Sequence, residues 1–404
     1  MVDSSRVRMT GPLVPFKAGF AEELRRLGYT PRSAETHLRL AAHLSRWLTT
    51  QDLNADEILP ATAQRFLGDR RAAGYTHHLS ARSLVPLLAY LRRLGVVPGA
   101  PPAPPPAGPL EELADRYRLY LIRERGFKEK TARQYVDAIR PFLRERAGPE
   151  GVDLVRLSAA DVSAFALACA RQQTPGTAKH TVGVFRSLLG FLHREGLIER
   201  SLIGAVPKVA SWRGAGLPKG LEPADLKRLL ASCDRSAANG RRDFAILMLL
   251  SRLGLRAGEV AGLSLADIEW RAGEIVVRGK GRRAERLPLT ADVGEAIAAY
   301  LREGRPTNGE GRTVFVLAAA PYRALSRTGV SRVVASAARR AGLGTFYAHR
   351  LRHTAATEAL RGGASLPEVG QLLRHHQLQT TAIYAKVDRA SLRVIARSWP
   401  GAGR

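Results

Sequence analysis

The stretch Pro98–Pro109, PGAPPAPPPAGP, constrains this chain more than any other. Proline lacks an amide donor and has a fixed φ, so a segment this dense in it can neither continue a helix nor enter a sheet interior. It reads as an extended, semi-rigid linker. A chain of 404 residues is long enough for two or three domains, and this linker is the clearest boundary between them. A second segment, PKVASWRGAGLPKGLEP from Pro207 to Pro223, is rich in glycine and proline and also basic, suited to lie along a phosphate backbone. The chain therefore divides into a helical domain over 1–98, the proline linker at 99–109, a second helical domain over 110–207, the basic linker at 208–220 and a final domain over 221–404.

The first two domains resemble each other. FAEELRRLG and SAETHLRLAAHLSRWL carry helical apolar spacing, with Leu40, Leu44 and Trp47 on one face. TAQRFLGDRRAAG and SARSLVPLLAYLRRLG follow, each closing on a glycine that suits a helix stop. RRLGYTPRSAETH from Arg25 has its counterpart in RERGFKEKTARQY from Arg123, and LLAYLRRLGVV from Leu87 in LLGFLHREGLI from Leu188. Two signatures recurring in the same order argue for a duplicated domain of four to five helices. The third segment mixes types: helices at its start, two short strand-like runs in GEIVVRGKGRRAERLPL around Gly279–Gly281, then further helices.

Composition narrows the function. Lys and Arg number 63 against 36 Asp and Glu, a net charge of +27. Such an excess in a non-repetitive chain points to a nucleic-acid partner. No apolar run is long enough to span a membrane, and the first 20 residues lack the apolar block of a signal peptide. The only cysteines, Cys169 and Cys233, make neither a disulfide framework nor a zinc pattern, which fits a reducing cytoplasm.

The chemistry concentrates in AHRLRHTAATEAL, Ala348–Leu360. On a helix, His349, Arg352 and His353 approach one side. A His-x-x-x-His zinc pair is disfavoured, because no glutamate follows His349 and two arginines would repel a cation. A solvated basic helix end predicts nothing else about the chain. A phosphate cradle, with arginine forks for two oxygens and an imidazole beside them, demands partners elsewhere. Candidates exist. Arg256 follows Gly254 in LGLRAGEV, with Glu259 one turn on to hold its side chain. Lys280 sits at the hairpin tip as the only lysine between Lys227 and Lys386. Tyr384 lies nine residues after His375 in LLRHHQLQTTAIYAKVD. A lone tyrosine is usually a packing residue; the ordered set is far more specific.

Together, LGLRAGEV, HRLRHTAATEAL and LLRHHQLQTTAIYAKV resemble the tyrosine recombinase (phage integrase) family. The resemblance covers the third segment, and the helical segment before it looks like the family's core-binding domain. It implies a mainly α fold with a small β component: two tandem helical, SAM-like DNA-binding domains followed by a mixed α+β catalytic domain. It also implies that Arg256 and Arg352 bind the scissile phosphate, that Lys280 is general acid, that His349 assists as acid or base, that His375 hydrogen-bonds the phosphate and that Tyr384 is the nucleophile. One position departs from the pattern. The family usually has glycine before the third-box histidine, where this chain has Arg374, which must adopt the same conformation at some cost. The neighbouring His376 competes for the histidine role, and the spacing to Tyr384 favours His375.

The function implied is site-specific recombination of double-stranded DNA through a 3′-phosphotyrosine and a Holliday junction, with no metal, cofactor or ATP. The partners implied are inverted half-sites, a homo-oligomer from dimer to tetramer, and sister recombinases; a mobile element is the expected carrier. A type IB topoisomerase shares the chemistry, and a non-catalytic accessory DNA-binding protein shares the charge. The two helical domains and the box contexts favour the recombinase over the first, and the complete residue set favours it over the second. Leu392, Ile395 and Trp399 form one apolar stripe near the C-terminus, expected to dock on a neighbouring protomer.

Overall fold

The computed structural model describes residues 7–99, 108–148, 151–208, 220–279, 284–307, 311–375, 381 and 383–384. The 390–404 stripe lies outside these residues, as does Lys280. Contacts divide the chain into two compact units, residues 1–100 together with 216–404, and residues 101–215.

The N-terminal part of the first unit is four helices: α1 (Lys17–Arg26), α2 (Pro31–Thr50), α3 (Pro60–Ala72) and α4 (Ala81–Arg93). Their apolar faces meet in one core that includes Phe20, Leu38, Leu44, Phe66 and Leu91. The second unit is also four helices, α5 (Pro109–Arg123), α6 (Glu129–Glu145), α7 (Ala159–Gln172) and α8 (Pro175–Arg194), around Tyr117, Phe142, Phe185 and Leu188. A two-residue antiparallel pair, β1 (Ala147–Gly148) with β2 (Gly151–Val152), links α6 to α7 and has no counterpart in the sequence reading. Pro109 opens α5 rather than closing the linker; at the first helical position its missing N–H has no partner to lose.

The two sets of helices repeat in detail. Gly28 and Gly126 both take positive φ, +82° and +64°, just past the first helix of each set. Gly95 and Gly196 do the same past the last, at +73° and +68°. An edge-to-face ring pair recurs as well, Tyr29 with His37 at 4.9 Å and Phe127 with Tyr135 at 5.0 Å. Within the first unit, Tyr322 donates its hydroxyl to the Gly28 carbonyl at 3.3 Å. A Cβ on Gly28 would stand 2.4 Å from the Tyr322 ring, so this close approach also requires glycine.

The C-terminal part of the first unit is built on α10 (Ala238–Arg252), which is buried over most of its surface. Around it stand α9 (Pro223–Ala231), α11 (Ala257–Ala261), α12 (Ala291–Glu303), α13 (Arg327–Arg340) and α14 (Ala348–Arg361), with α15 (Leu366–Leu372) beyond. The strand-like runs form the expected hairpin, β4 (Glu274–Arg278) against β5 (Ala284–Pro288), with Arg278 opposite Ala284. A two-residue strand, β3 (Ile268–Glu269), adds to its edge and completes an antiparallel sheet of order β3-β4-β5. Both cysteines are buried and free. Among the described residues no helix is long and apolar enough to cross a membrane.

Candidate active site

Three chain segments converge beside α14, and each arrives through a specific local device. The first is the turn after α10. Gly254 takes φ +58°, and a Cβ there would lie 2.8 Å from Leu373 Cδ2, so only glycine lets the turn close on the third segment. The turn delivers Arg256 to the start of α11. Glu259 holds it in the way the sequence suggests: one carboxylate oxygen accepts from the Arg256 side chain at 2.7 Å, the other from its backbone N–H at 2.8 Å.

The second segment is α14 itself. Arg352 is 2% exposed, and its guanidinium donates to the carbonyls of Gly254 and Leu373. One buried side chain thus ties the first and third segments to the helix between them. Arg350, from the same cluster in the sequence, turns away and stacks on the Phe346 ring at 4.8 Å.

The third segment follows α15. This helix starts on a reciprocal cap, in which the Ser365 N–H donates to Glu368 at 2.7 Å. It ends on a left-handed turn in which Arg374 N–H donates to Gln371 O and His375 N–H donates to Gly370 O, both at 2.9 Å. The turn places Arg374 at φ +54°. A non-glycine residue there costs on the order of 1–2 kcal/mol. The conformational demand inferred at this position is therefore met, and by an arginine.

Arg256, Glu259, Arg278, His349, Arg352 and Arg374 all line one cleft of about 810 Å³. The hairpin supplies Arg278 to its wall. Lys280 itself lies outside the described residues. Neither His375 nor Tyr384 is among the described residues that line the cleft. Tyr384 is 1% exposed and belongs to a small separate core with Ala356, Val369 and Leu373. Its hydroxyl meets His353 Nδ1 at 2.7 Å. His353 in turn stacks edge-to-face on His349, ring centroids 4.4 Å apart.

Electrostatics follow from burial and from the arginines. Arg352 is lowered to about 10, first by desolvation and then by Arg256 and Arg374, and remains charged at neutral pH. Desolvation also lowers His349, and Arg352 and Arg256 push it further. His353 falls to about 4 through desolvation and then His349 and Arg352; His375 falls to about 4 through desolvation and then Arg352, Arg256 and Arg374. All three imidazoles are therefore neutral at pH 7. Burial pushes Tyr384 up to about 12, partly offset by Arg352. A protonated Tyr384 is the donor to a neutral His353 Nδ1. His375 Nδ1 stands 2.9 Å from Thr381 Oγ1. When the hydroxyl donates there, the ring proton sits on Nε2, which becomes a donor.

Two of these partners escaped the sequence reading. His353 was visible in the helical cluster, but its link to Tyr384 is made across 31 residues by folding. Thr381 carries no motif signal at all.

Sequence and fold comparisons agree on what this arrangement belongs to. Residues 219–391 match the model of the phage integrase family, and residues 114–196 match the phage integrase N-terminal SAM-like domain. The protein called "Putative integrase/recombinase y4rA" of Sinorhizobium fredii is 39% identical over 394 residues, covering 97% of this chain and 95% of that one. The chain belongs to the tyrosine recombinase family. Tyrosine recombinase XerD of Mycobacterium tuberculosis is 35% identical over 303 residues, 71% of this chain and 95% of its own. The recombinase also shares its fold with a lambda integrase dimer bound to a COC′ core site, at TM-score 0.54 and 20% identity over 71% of this chain and 96% of that chain. The mainly helical fold, with a SAM-like domain ahead of a mixed α+β domain, is that of the family. The protein is an enzyme of site-specific DNA recombination.

Proposed function

We propose that this recombinase cleaves DNA by attack of Tyr384 on a phosphodiester held by Arg256 and Arg352, and that a 3′-phosphotyrosine carries the strand until exchange. The observation that supports this best is the meeting of the three segments: two arginines and His349 on one cleft, with Tyr384 engaged by His353 in the adjoining core. The phosphate's own negative charge repels a nucleophile, and fixed guanidinium donors offset the charge that builds in the pentavalent transition state. As the Tyr384 oxygen bonds to phosphorus, its proton passes to an imidazole; His353 Nδ1 is within reach, and His349 stands against His353. The bond from phosphorus to the 5′ oxygen breaks, and Lys280 protonates that oxygen. His375 donates from Nε2 to the phosphate. The phosphotyrosine conserves bond energy, so a DNA hydroxyl reverses the step without ATP or a metal ion.

On this reading the recombinase acts in the cytoplasm on inverted half-sites, as a dimer to tetramer that resolves a Holliday junction, with or without sister recombinases. Its parts are a helical domain over 1–98, a core-binding domain over 110–207 and a catalytic domain over 221–404, the two helical domains adding phosphate contacts. A nicked suicide substrate tests the proposal. A covalent adduct should form in EDTA and map to Tyr384. A strict Mg²⁺ requirement, or an adduct elsewhere, refutes it. Activity on a single site rather than on paired half-sites would replace recombination with topoisomerase-like relaxation.

A further inference from the structure

Arg374 stands where glycine would relieve a left-handed turn, and its side chain is not a surface passenger. The side chain is 4% exposed and its guanidinium donates to Glu259 at 2.8 Å, with the Glu259 side chain 5% exposed. A second donor of the same group reaches the Leu372 carbonyl at 3.1 Å. Among the described residues its buried Nε has no partner. A strained backbone persists only where its surroundings fix it, and here they fix it beside the cleft lined by Arg256 and Arg352.

We propose that Arg374 is a third arginine of the phosphate site, a positioning residue that clamps Glu259 and through it fixes Arg256. This rests on the function proposed above. The carboxylate of Glu259 receives the Arg256 backbone N–H and the Arg374 guanidinium on one oxygen, and the Arg256 guanidinium on the other. Removing Arg374 frees that carboxylate to rotate and to take more of Arg256 for itself. Charge points the same way. Arg374 adds one positive charge beside the carboxylate that offsets Arg256, and the phosphodiester gains negative charge as a phenolate adds to it, so the charge of Arg374 counts for more in the transition state than in the ground state.

The test is single-turnover adduct formation on a nicked half-site by the full chain, comparing the wild type with Arg374→Gly, Arg374→Lys, Glu259→Gln and the Arg374→Gly/Glu259→Gln double variant. Glycine relieves the strained turn and so offsets part of the lost buried pair with Glu259; Arg374→Gly should stay folded at the assay temperature and bind the half-site within about twofold. Its adduct formation should fall by roughly 10- to 100-fold. Lysine, a point charge, should restore part of the loss. In the Glu259→Gln background the Arg374→Gly change should cost less than about twofold more, because both act on Arg256. A methylphosphonate at the scissile position removes one negative charge, and the Arg374→Gly deficit should shrink to under about threefold on it. An Arg374→Gly variant as fast as a wild type that does form the adduct overturns the inference alone. So does a deficit that multiplies with that of Glu259→Gln, or one unchanged on the methylphosphonate. A wild type that forms no Tyr384 adduct removes the underlying function and the inference with it.

Discussion

Arg352 and Tyr384 are almost equally buried, yet their surroundings differ in kind. Arg352 lies among other arginines, and its guanidinium satisfies two backbone carbonyls while facing a cleft. Tyr384 lies among Ala356, Val369 and Leu373, and one imidazole is the side chain its hydroxyl meets. Burial lowers the pKa of the first group and raises that of the second, so each moves toward its uncharged form. The arginine starts high enough to stay charged, and the tyrosine stays protonated. Positive charge is thereby built permanently into the cleft wall, whereas Tyr384, on the proposed function, takes up negative charge only as a phosphate and a proton acceptor meet it.

The largest effect that tests this contrast comes from Tyr384→Phe. It keeps the ring in its apolar core and removes the hydroxyl, so folding and DNA binding should survive while the covalent adduct disappears entirely. An adduct from the Phe variant breaks the assignment. Next come the arginines. Arg256→Ala and Arg352→Ala should each slow cleavage by about 10²-fold or more, as expected for a lost transition-state donor. They should differ in stability. Arg256 is 46% exposed in its side chain, whereas losing Arg352 strands two buried carbonyls, at about 1–3 kcal/mol each. Thermal unfolding of the two variants checks this; equal stability would mean Arg352 does not hold the three segments together. A smaller effect is expected from His353→Phe, which retains ring volume without an acceptor. Adduct formation should drop about tenfold, since His349 remains nearby as an alternative. An unchanged rate would show that the Tyr384–His353 bond is broken before reaction.

The mildest test is pH. The folded-state constants of His353 and His375 lie near 4 and are depressed by burial and the arginines. The unfolded chain takes up protons on these rings from about pH 6.5, while the folded chain does so only near 4. Stability should therefore fall as pH is lowered across that window and stay flat above it. His375→Asn should lessen the slope; an unfolding temperature that rises on acidification would contradict neutral imidazoles in the fold.

Local chemistry made much of this legible in the sequence. The repeated helices with their glycine stops and the pairing of β4 with β5 follow from backbone preferences that act within a few residues. Of the residues the ordered boxes single out, Arg256, His349 and Arg352 share the cleft, and Glu259 holds Arg256 as one helical turn between them suggests. The glycine normally found before the third-box histidine marked 374 as a place where backbone shape matters, and the structure gives that shape as a positive φ. Tertiary structure alone decided what Arg374 does with its side chain, because Glu259 is 115 residues away in the chain. It decided likewise that Arg350 leaves the cluster for Phe346, that Thr381 orients His375, and that Tyr384 rests against His353 in a core of its own. Spacing along a helix says which side chains share a face; it cannot say which of them a distant segment will bury, and at this site burial is the first cause that keeps His353 and His375 neutral.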